Sequence, residues 1–403
     1  MARQHARRSV RGWTIATFIL TIVLGATHAA ALNTATDIIG ASDLRQLLPH
    51  LDGVDDATGQ VQRIAIIDTG VDHAHPDLAG RVVGGVNYAT GAAWGSTSTT
   101  AWTDRHGHGT FVAGAAGSSR DGLLGVAPQV EFVSVRVLAA NGEGALSDLA
   151  AGIEWVVDHA AELNITTVNI SVGSGLYASP DDVHDFSTYR RLRTGLGDLE
   201  AMDVVTAAAA GNSGSHTALS VPAIFDPVIS VGASTDSDDI ASFSNRNAYL
   251  ELFAPGSGIQ SLWDGGGTSY GSGTSYASPL VAGASAIFRE AYLQFIDEGD
   301  LAGEYASFQD RLTSLWMGTA ASIVDPINGA TYGRLDMLAA MEALYVEFGE
   351  EWSGLESGDS PPAHQPEPAS VVLMAVAGSL LITRRRQSAG SVQGPPPPCR
   401  STV

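Results

Sequence analysis

Three short segments, far apart in the chain, each carry a side chain that hydrolytic catalysis uses. A carboxylate ends the apolar run Ile64-Ala-Ile-Ile-Asp68, an imidazole opens His108-Gly-Thr-Phe-Val-Ala-Gly114, and a hydroxyl lies within Gly273-Thr-Ser275-Tyr-Ala-Ser-Pro279. A serine hydroxyl is a weak nucleophile at neutral pH, so an imidazole must take its proton and a carboxylate must orient that imidazole. The order acid, base, nucleophile is one of the chain orders in which such triads occur. Together the three segments predict a nucleophilic hydrolase.

Each of these residues, taken alone, also has a simpler interpretation. Asp68 in Asp-Thr-Gly fits a turn, Ser275 fits a helix N-cap, and His106 is a rival for His108. The small residues after His108 favour a helix that begins there, and a helix N-terminus favours the neutral imidazole that a base needs. Pro279 predicts the first turn of a second helix, with Ser275 in its N-cap region. We therefore expect His108 and Ser275 to act with Asp68.

Strand-like and helical patterns alternate along the middle of the chain. Apolar runs predict strands at residues 64–67, 131–138, 166–171, 204–209 and 227–232, and helical spacing predicts helices at residues 109–117, 147–162 and 335–348. Such alternation implies a parallel sheet with right-handed crossovers. These elements would place Asp68 at the carboxyl end of a buried strand, where open α/β sheets bind ligands.

The motifs around these residues resemble those of the subtilisin-like serine proteases, the subtilase family, over residues 64–288. Further matching segments are Gly125-Val-Ala-Pro128, Asn169-Ile-Ser-Val-Gly173, Ala209-Ala-Gly-Asn212, Ala241-Ser-Phe-Ser-Asn245 and Phe253-Ala-Pro-Gly256. The resemblance implies a three-layer α/β sandwich, with a mostly parallel central sheet flanked by helices. It also implies a serine endopeptidase that works through an acyl-enzyme. The rival interpretation is a catalytically silent surface-binding or structural protein with the same fold.

The resemblance assigns further roles in the site. Asn212 would donate its amide to the oxyanion, together with the backbone N–H of Ser275. The segment from Ser171 to Gly173 would pair with an extended peptide substrate by strand addition. A turn for Asn212 and an ordinary core strand for residues 171–173 remain alternatives.

The expected chemistry needs no cofactor, and the resemblance implies at most a structural calcium ion. Asp77, in His75-Pro-Asp-Leu78, matches a common calcium-ligand position of the family, and a turn residue fits it equally well. Calcium takes six or more oxygen ligands, whereas one Asp is what matches. Residues 117–125 are compact where many relatives carry a longer calcium-binding loop.

Both ends of the chain carry targeting patterns. A basic start, an apolar run and Ala29-Ala-Ala31 predict a signal peptide at residues 1–31, removed by signal peptidase. Residues 366–386 hold Pro366-Glu-Pro368, an apolar run and Arg384–Arg386, and resemble the PEP-CTERM sorting signal, which implies cleavage by an exosortase. The apolar run is short for a stable span, so we expect transient membrane contact, with a short permanent anchor as the alternative.

The remaining boundaries follow from composition. We expect a short N-terminal segment at 32–60, one peptidase domain at 61–348, a flexible acidic linker at 349–365 and a disordered tail at 387–403.

Residues 32–365 carry 13 Arg and 42 acidic residues, a net charge of −29, and the chain has no Lys. This charge excludes nucleic acid and anionic lipid as expected partners. The single Cys excludes an intrachain disulfide. We expect an exported monomer in the cell envelope, on the outer surface or in the extracellular matrix, acting on proteins or peptides.

Overall fold

The computed structural model describes residues 31–55, 58–89, 94–184, 186–350, 352 and 401–402. Its strands are β1 (Val54–Asp55), β2 (Gln60–Val61), β3 (Arg63–Asp68), β4 (Val82–Asn87), β5 (Ser119–Arg120), β6 (Leu123–Leu124), β7 (Glu131–Arg136), β8 (Glu143–Gly144), β9 (Ile165–Ile170), β10 (Ser174–Tyr177), β11 (Val205–Ala209), β12 (Leu219–Val221), β13 (Ile229–Ser234), β14 (Leu252–Pro255), β15 (Ile259–Trp263), β16 (Gly267–Gly271), β17 (Ala321–Val324), β18 (Thr331–Arg334) and β19 (Ser401–Thr402).

The α-helices are α1 (Ala31–Ile38), α2 (Ala41–Leu47), α3 (Thr99–Trp102), α4 (His108–Gly117), α5 (Leu146–His159), α6 (Ser187–Ala201), α7 (Thr274–Leu293), α8 (Phe308–Thr319) and α9 (Met337–Glu347). Short 3₁₀ turns lie at Pro180–Asp182 and Glu298–Asp300. The strands and helices predicted from the apolar patterns are confirmed, with ends shifted by up to three residues.

Nine strands form the central sheet, in the order β17-β18-β14-β13-β11-β9-β3-β7-β4. Every neighbouring pair is parallel except the edge pair β17–β18. All six residues of β9 are buried, as are the last five of β3. Continuous burial of this kind requires cover on both faces of a parallel sheet. The predicted fold class, a three-layer α/β sandwich with a mostly parallel sheet, is confirmed.

Two hydrophobic cores lie on opposite faces of the sheet. Helices α4 and α7 pack together on one face, and helices α5 and α6 pack together on the other. Helix α1 adds Ala35 to the core beside α7, and α2 adds Leu44, so the predicted N-terminal segment packs onto the predicted peptidase domain. The sheet and helix α7 together bring the carboxyl end of β3 and the start of α7 to one side of the molecule.

The start of α7 differs from the sequence prediction. The helix begins at Thr274 with Gly273 as its N-cap, and Pro279 lies inside it rather than in its first turn. A proline has no N–H to donate to the carbonyl four residues earlier, which here belongs to Ser275. The hydroxyl of Ser171 donates to that carbonyl instead, at 2.8 Å. A contact from a distant strand end therefore replaces the missing helical hydrogen bond.

Parts of the predicted organisation lie outside the described residues. These are the signal peptide apart from Ala31, most of the linker, and the sorting segment at 366–386. Of the predicted disordered tail, Ser401 and Thr402 are described, and they pair antiparallel with β8. No helix within the described ranges is long and apolar enough to cross a bilayer.

Candidate active site

The carboxylate of Asp68 holds the imidazole of His108. Asp68 is the last residue of β3 and is fully buried, and His108 is the first residue of α4. His108 Nδ1 lies 2.8 Å from Asp68 Oδ1 and 2.9 Å from Oδ2. An ionised carboxylate only accepts hydrogen bonds, so Nδ1 carries the proton of the neutral ring. This leaves Nε2 with a lone pair, as a general base requires.

Close contact between β3 and α4 makes this pairing possible. A Cβ atom on Gly109 would lie 2.0 Å from the carbonyl oxygen of Gly70. Any residue but glycine would therefore push the first turn of α4 away from the strand end. The close approach of the Gly109 backbone to the Gly70 carbonyl therefore explains why glycine follows His108.

Ser275 lies in the same cleft as His108. The residue is 5% exposed, and its Oγ donates to the carbonyl of Ser171 at 3.0 Å. Within the described part of the chain, Ser275 and His108 share no hydrogen bond. Without a ligand, therefore, the hydroxyl is held by the Ser171 carbonyl after β9 and not by the imidazole. Catalytic hydrogen bonds of this type often form only when substrate binds.

Asn212 is oriented by Thr274. Its Oδ1 accepts from the backbone N–H of Thr274 at 2.8 Å and from Thr274 Oγ1 at 3.0 Å. A backbone N–H can only donate, which fixes the oxygen on that side and leaves the NH₂ group for the cleft. The N–H of Ser275, in the first turn of α7, has no acceptor within the helix. Two donors of the kind that stabilise an oxyanion thus lie at one helix start.

The cleft between these residues has a volume of about 310 Å³. It contains His108, Ser275, Asn212 and seven further residues, His106, Asn141, Gly142, Glu143, Ser272, Gly273 and Tyr276. The three predicted catalytic residues and the predicted oxyanion donor are therefore brought together, with Asp68 behind His108.

Tyr276 contributes an aromatic wall that the sequence analysis did not assign. Its ring lies 5.3 Å from the ring of His108 and 4.2 Å from that of Phe111. Burial, with a smaller contribution from the charge of Asp68, raises the pKa of Tyr276 to about 12. The phenol therefore keeps its proton at neutral pH and does not compete with His108 as a base.

The rival imidazole, His106, occupies a different position. Its ring packs 6.3 Å from the ring of Trp263 and 6.4 Å from that of His108. Asp68 contacts His108 and, in the described ranges, makes no hydrogen bond to His106. The geometry therefore favours His108 as the base.

The predicted substrate segment follows β9. Ser171 is buried, and both its carbonyl and its hydroxyl contact Ser275. Gly173 lies against Ser220, where an added Cβ would be 3.0 Å from the Ser220 Cβ. Across the cleft, β8 shows that its edge accepts an antiparallel strand, because Ser401 and Thr402 pair with it. Backbone groups able to bind an extended peptide are thus present on two sides.

The surroundings of Asp77 do not fit a calcium site. Its carboxylate lies 3.6 Å from Arg120 Nη1 and 3.6 Å from His75 Nδ1, so a guanidinium already faces it. No cluster of three or more His, Cys, Asp or Glu residues that could hold a metal occurs in the described part of the chain.

A second arginine, Arg81, donates hydrogen bonds to main-chain carbonyl oxygens in the same region. Arg81 Nη1 donates to the carbonyls of Gly117, Pro128 and Val130 at 2.8, 3.0 and 3.1 Å, and Nη2 donates to that of Asp77 at 2.6 Å. The carbonyl oxygens that converge here surround a protein cation.

One buried acid beside the triad was missed in the sequence. Asp104 is 2% exposed and accepts hydrogen bonds from Thr69, which follows Asp68, and from Thr110, two residues after His108. The signal for it was present, since Asp104 precedes His108 by four residues and Thr110 belongs to the His-Gly-Thr motif.

Comparison with known proteins identifies the family of the chain. A model described as the subtilase family matches residues 59–325. Subtilisin DY from Bacillus licheniformis is 37% identical over 235 residues, which cover 57% of this chain and 77% of that protein. Subtilisin E from Bacillus subtilis (strain 168) is 36% identical over 253 residues, 62% of this chain and 60% of that protein.

A solved structure is also similar. The crystal structure of a cold adapted subtilisin-like serine proteinase shares 31% sequence identity and superposes with a TM-score of 0.53, covering 71% of this chain and 97% of that one. The family match, the identity to subtilisins and the shared fold together show that this chain belongs to the subtilase family of serine endopeptidases.

Proposed function

We propose that this endopeptidase hydrolyses peptide bonds with Ser275 as nucleophile, His108 as general base and acid, and Asp68 as the group that orients His108. The observation that carries the proposal is the contact of both Asp68 oxygens with His108 Nδ1 at 2.8 and 2.9 Å, in a cleft that also holds Ser275. A buried carboxylate on Nδ1 stabilises the imidazolium that forms when Nε2 takes a proton.

The first half of the reaction forms an acyl-enzyme. The Ser275 hydroxyl leaves the Ser171 carbonyl, gives its proton to His108 Nε2 and attacks the peptide carbonyl carbon. The tetrahedral oxyanion accepts hydrogen bonds from the Ser275 N–H and the Asn212 amide. When the C–N bond breaks, His108 returns the proton to the departing amine. In the second half, water attacks the ester with the same proton transfers and releases the acid product.

Peptide binding by strand addition suits the two sides of the cleft. We propose that residues 171–173 and β8 bind the extended substrate through backbone groups. This mode takes its affinity from main-chain hydrogen bonds and tolerates many side chains. The pairing of Ser401 and Thr402 with β8 supports the assignment of that edge.

A fluorophosphonate probe tests the function directly. We expect one covalent adduct on Ser275, and its loss in Ser275→Ala with unchanged folding by circular dichroism. His108→Ala should abolish peptide cleavage, whereas His106→Ala should reduce it mildly. A folded wild-type protein that takes no adduct and cleaves no peptide would support the catalytically silent binding protein instead.

We also propose that the protein is exported to the cell envelope as a monomer. Its similarity to bacterial subtilisins supports export, and its net charge of −29 over residues 32–365 supports solubility outside the cytosol. The PEP-CTERM-like segment supports brief membrane retention and then cleavage near residues 366–368. Mass spectrometry of the native active enzyme tests this. An intact C-terminus through Val403 would refute the sorting signal.

A further inference from the structure

A buried carboxylate joins the two segments that carry the triad acid and base. Asp104 is 2% exposed. Its Oδ1 accepts from Thr69 Oγ1 at 2.9 Å, from the His106 N–H at 2.9 Å and from the Gly107 N–H at 3.0 Å. Its Oδ2 accepts from the N–H and the hydroxyl of Thr110 at 2.9 and 2.7 Å. All five contacts have a donor that faces the carboxylate, which is the pattern of an ionised group.

The two threonines cross-link β3 and α4 through Asp104. Thr69 follows the triad acid, and its Oγ1 accepts from the Gly109 N–H at 2.9 Å. Thr110 lies in the first turn of α4, and its Oγ1 accepts from the Asp72 N–H at 3.0 Å. Each hydroxyl thus donates to Asp104 and accepts from the segment opposite its own. These contacts fix the orientation of both hydroxyls, because each Thr Oγ1 carries one proton and donates it to Asp104.

We propose that Asp104 is a positioning residue of the reaction, which holds the His108 imidazole against the Asp68 carboxylate through Thr69 and Thr110. The inference rests on the proposed function of the triad. Among the described residues, neither threonine has a hydrogen bond to the imidazole, so the effect is on where β3 and α4 place their functional groups. Misplacement of a catalytic group by about 1 Å can cost about 10²-fold in rate.

The charge of Asp104 also affects the pKa values of neighbouring groups. Burial raises the pKa of Asp264, and the charges of Asp104 and Asp72 raise it further. Burial and Arg105 lower the pKa of Arg136, and Asp104 partly offsets this. The charged and titratable groups around His108 and Asp104 include Asp68 on β3, Asp72 after it, Arg105 and His106 before α4, Arg136 on β7, Glu143 on β8, Asp264 after β15 and Tyr276 on α7. Asp104 itself accepts hydrogen bonds from the loop before His108 and from the first turn of α4 after it.

The test compares Asp104→Asn, Thr69→Val and Thr110→Val with Thr69→Ser and Thr110→Ser in the full chain. The concentration of active enzyme is first fixed by fluorophosphonate titration. We expect Asp104→Asn to lower kcat by about 10²-fold with little change in KM. The valine variants should have a lower kcat than the wild type. The serine variants keep the hydroxyl and should retain most of the wild-type kcat. The acid limb of kcat/KM should move to lower pH in Asp104→Asn, because one negative charge no longer favours the imidazolium.

Asp264→Asn is the matched control, since it removes a nearby carboxylate that, in the described part of the chain, has no hydrogen bond to either triad segment. We expect its kcat to remain close to that of the wild type. If Asp104→Asn lowers only the titrated fraction of active enzyme, and kcat per site and the pH profile stay unchanged, Asp104 serves folding alone and the proposal is wrong. Full activity of Ser275→Ala would instead refute the triad itself, so the two failures are distinct.

Discussion

At the scale of single residues, the orientation of the Asn212 amide decides what this side chain can do. Both hydrogen bonds that Thr274 donates to Asn212 go to the amide oxygen, so the NH₂ group is the part available to a ligand in the cleft. A neutral amide that contacts an oxygen bearing charge only beyond the ground state contributes to turnover and not to substrate affinity.

We therefore expect Asn212→Ala to lower kcat while KM changes little. Loss of the corresponding donor from subtilisin costs about 10²–10³-fold in kcat, and we expect a similar loss here. Asn141→Ala is the matched control, because Asn141 lines the same cleft and its amide contacts Glu143. Steady-state kinetics on one peptide amide separates the two parameters. A rise in KM at constant kcat would assign Asn212 to ground-state binding.

At the scale of elements, the start of α7 depends on a hydroxyl from outside the helix. Ser171 Oγ donates to the Ser275 carbonyl because Pro279 cannot, and it also contacts Ser278 Oγ and Asn169 Nδ2. The nucleophile is therefore held from two sides. Its carbonyl accepts from Ser171, and its hydroxyl donates to the Ser171 carbonyl.

A double-mutant cycle tests this substitution of one donor for another. We expect Ser171→Ala to cost about 1–3 kcal/mol of unfolding free energy, because a buried carbonyl loses its donor. In the Pro279→Ala background the same change should cost less, since an alanine in place of Pro279 supplies an N–H four residues after Ser275. Urea unfolding of the four proteins measures the coupling. Additive costs would show that the Ser171 hydroxyl is not replacing the helical donor.

Sequence patterns predict elements well here and contacts between elements poorly. The runs that became β3, β9 and β11 are buried on both faces, and their alternation with helical patterns indicates a parallel sheet. The position of Pro279 inside α7 was predicted wrongly, because its tolerance depends on a residue more than a hundred positions away. The sequence analysis missed Asp104 for the same reason, because its hydrogen bonds with Thr69 and Thr110 depend on how β3 meets α4.

At the scale of the whole molecule, a buried ion pair ties the C-terminal edge of the sheet to the loop before β14. Arg246 Nε lies 2.6 Å from Asp325 Oδ2 and Nη2 lies 3.0 Å from Oδ1, with side chains 3% and 0% exposed. Hydrogen bonds from Arg246 lower the pKa of Asp325 below its ordinary value, against the opposing effect of burial. The pair therefore stabilises the fold above the unfolded pKa of about 3.9, and this contribution is lost as the pH falls through the lower folded value.

We expect Asp325→Asn to cost about 3–5 kcal/mol at neutral pH, because it leaves a buried guanidinium without its partner. The difference from the wild type should shrink as the pH falls below about 4, because protonation of Asp325 then favours the unfolded chain. Glu154→Gln is the matched control, since Glu154 pairs with Arg191 in an exposed bridge and should cost about 0–1 kcal/mol. Chemical denaturation across pH measures both. Equal costs for the two variants would contradict this assignment.

The carbonyl oxygens around Arg81 have a consequence for how stability responds to the medium. A bound metal ion stabilises a fold by mass action, so its contribution falls as the free ion is diluted or chelated. A guanidinium on the chain itself has no dissociation equilibrium, and its local concentration is the same in a calcium-rich medium and in a chelating buffer. We expect the loss of melting temperature caused by Arg81→Ala to be the same with excess calcium and with excess EDTA. Arg81→Ala should melt at a lower temperature in both media. If the loss caused by Arg81→Ala differs between the two media, an ion, and not Arg81 alone, stabilises this region.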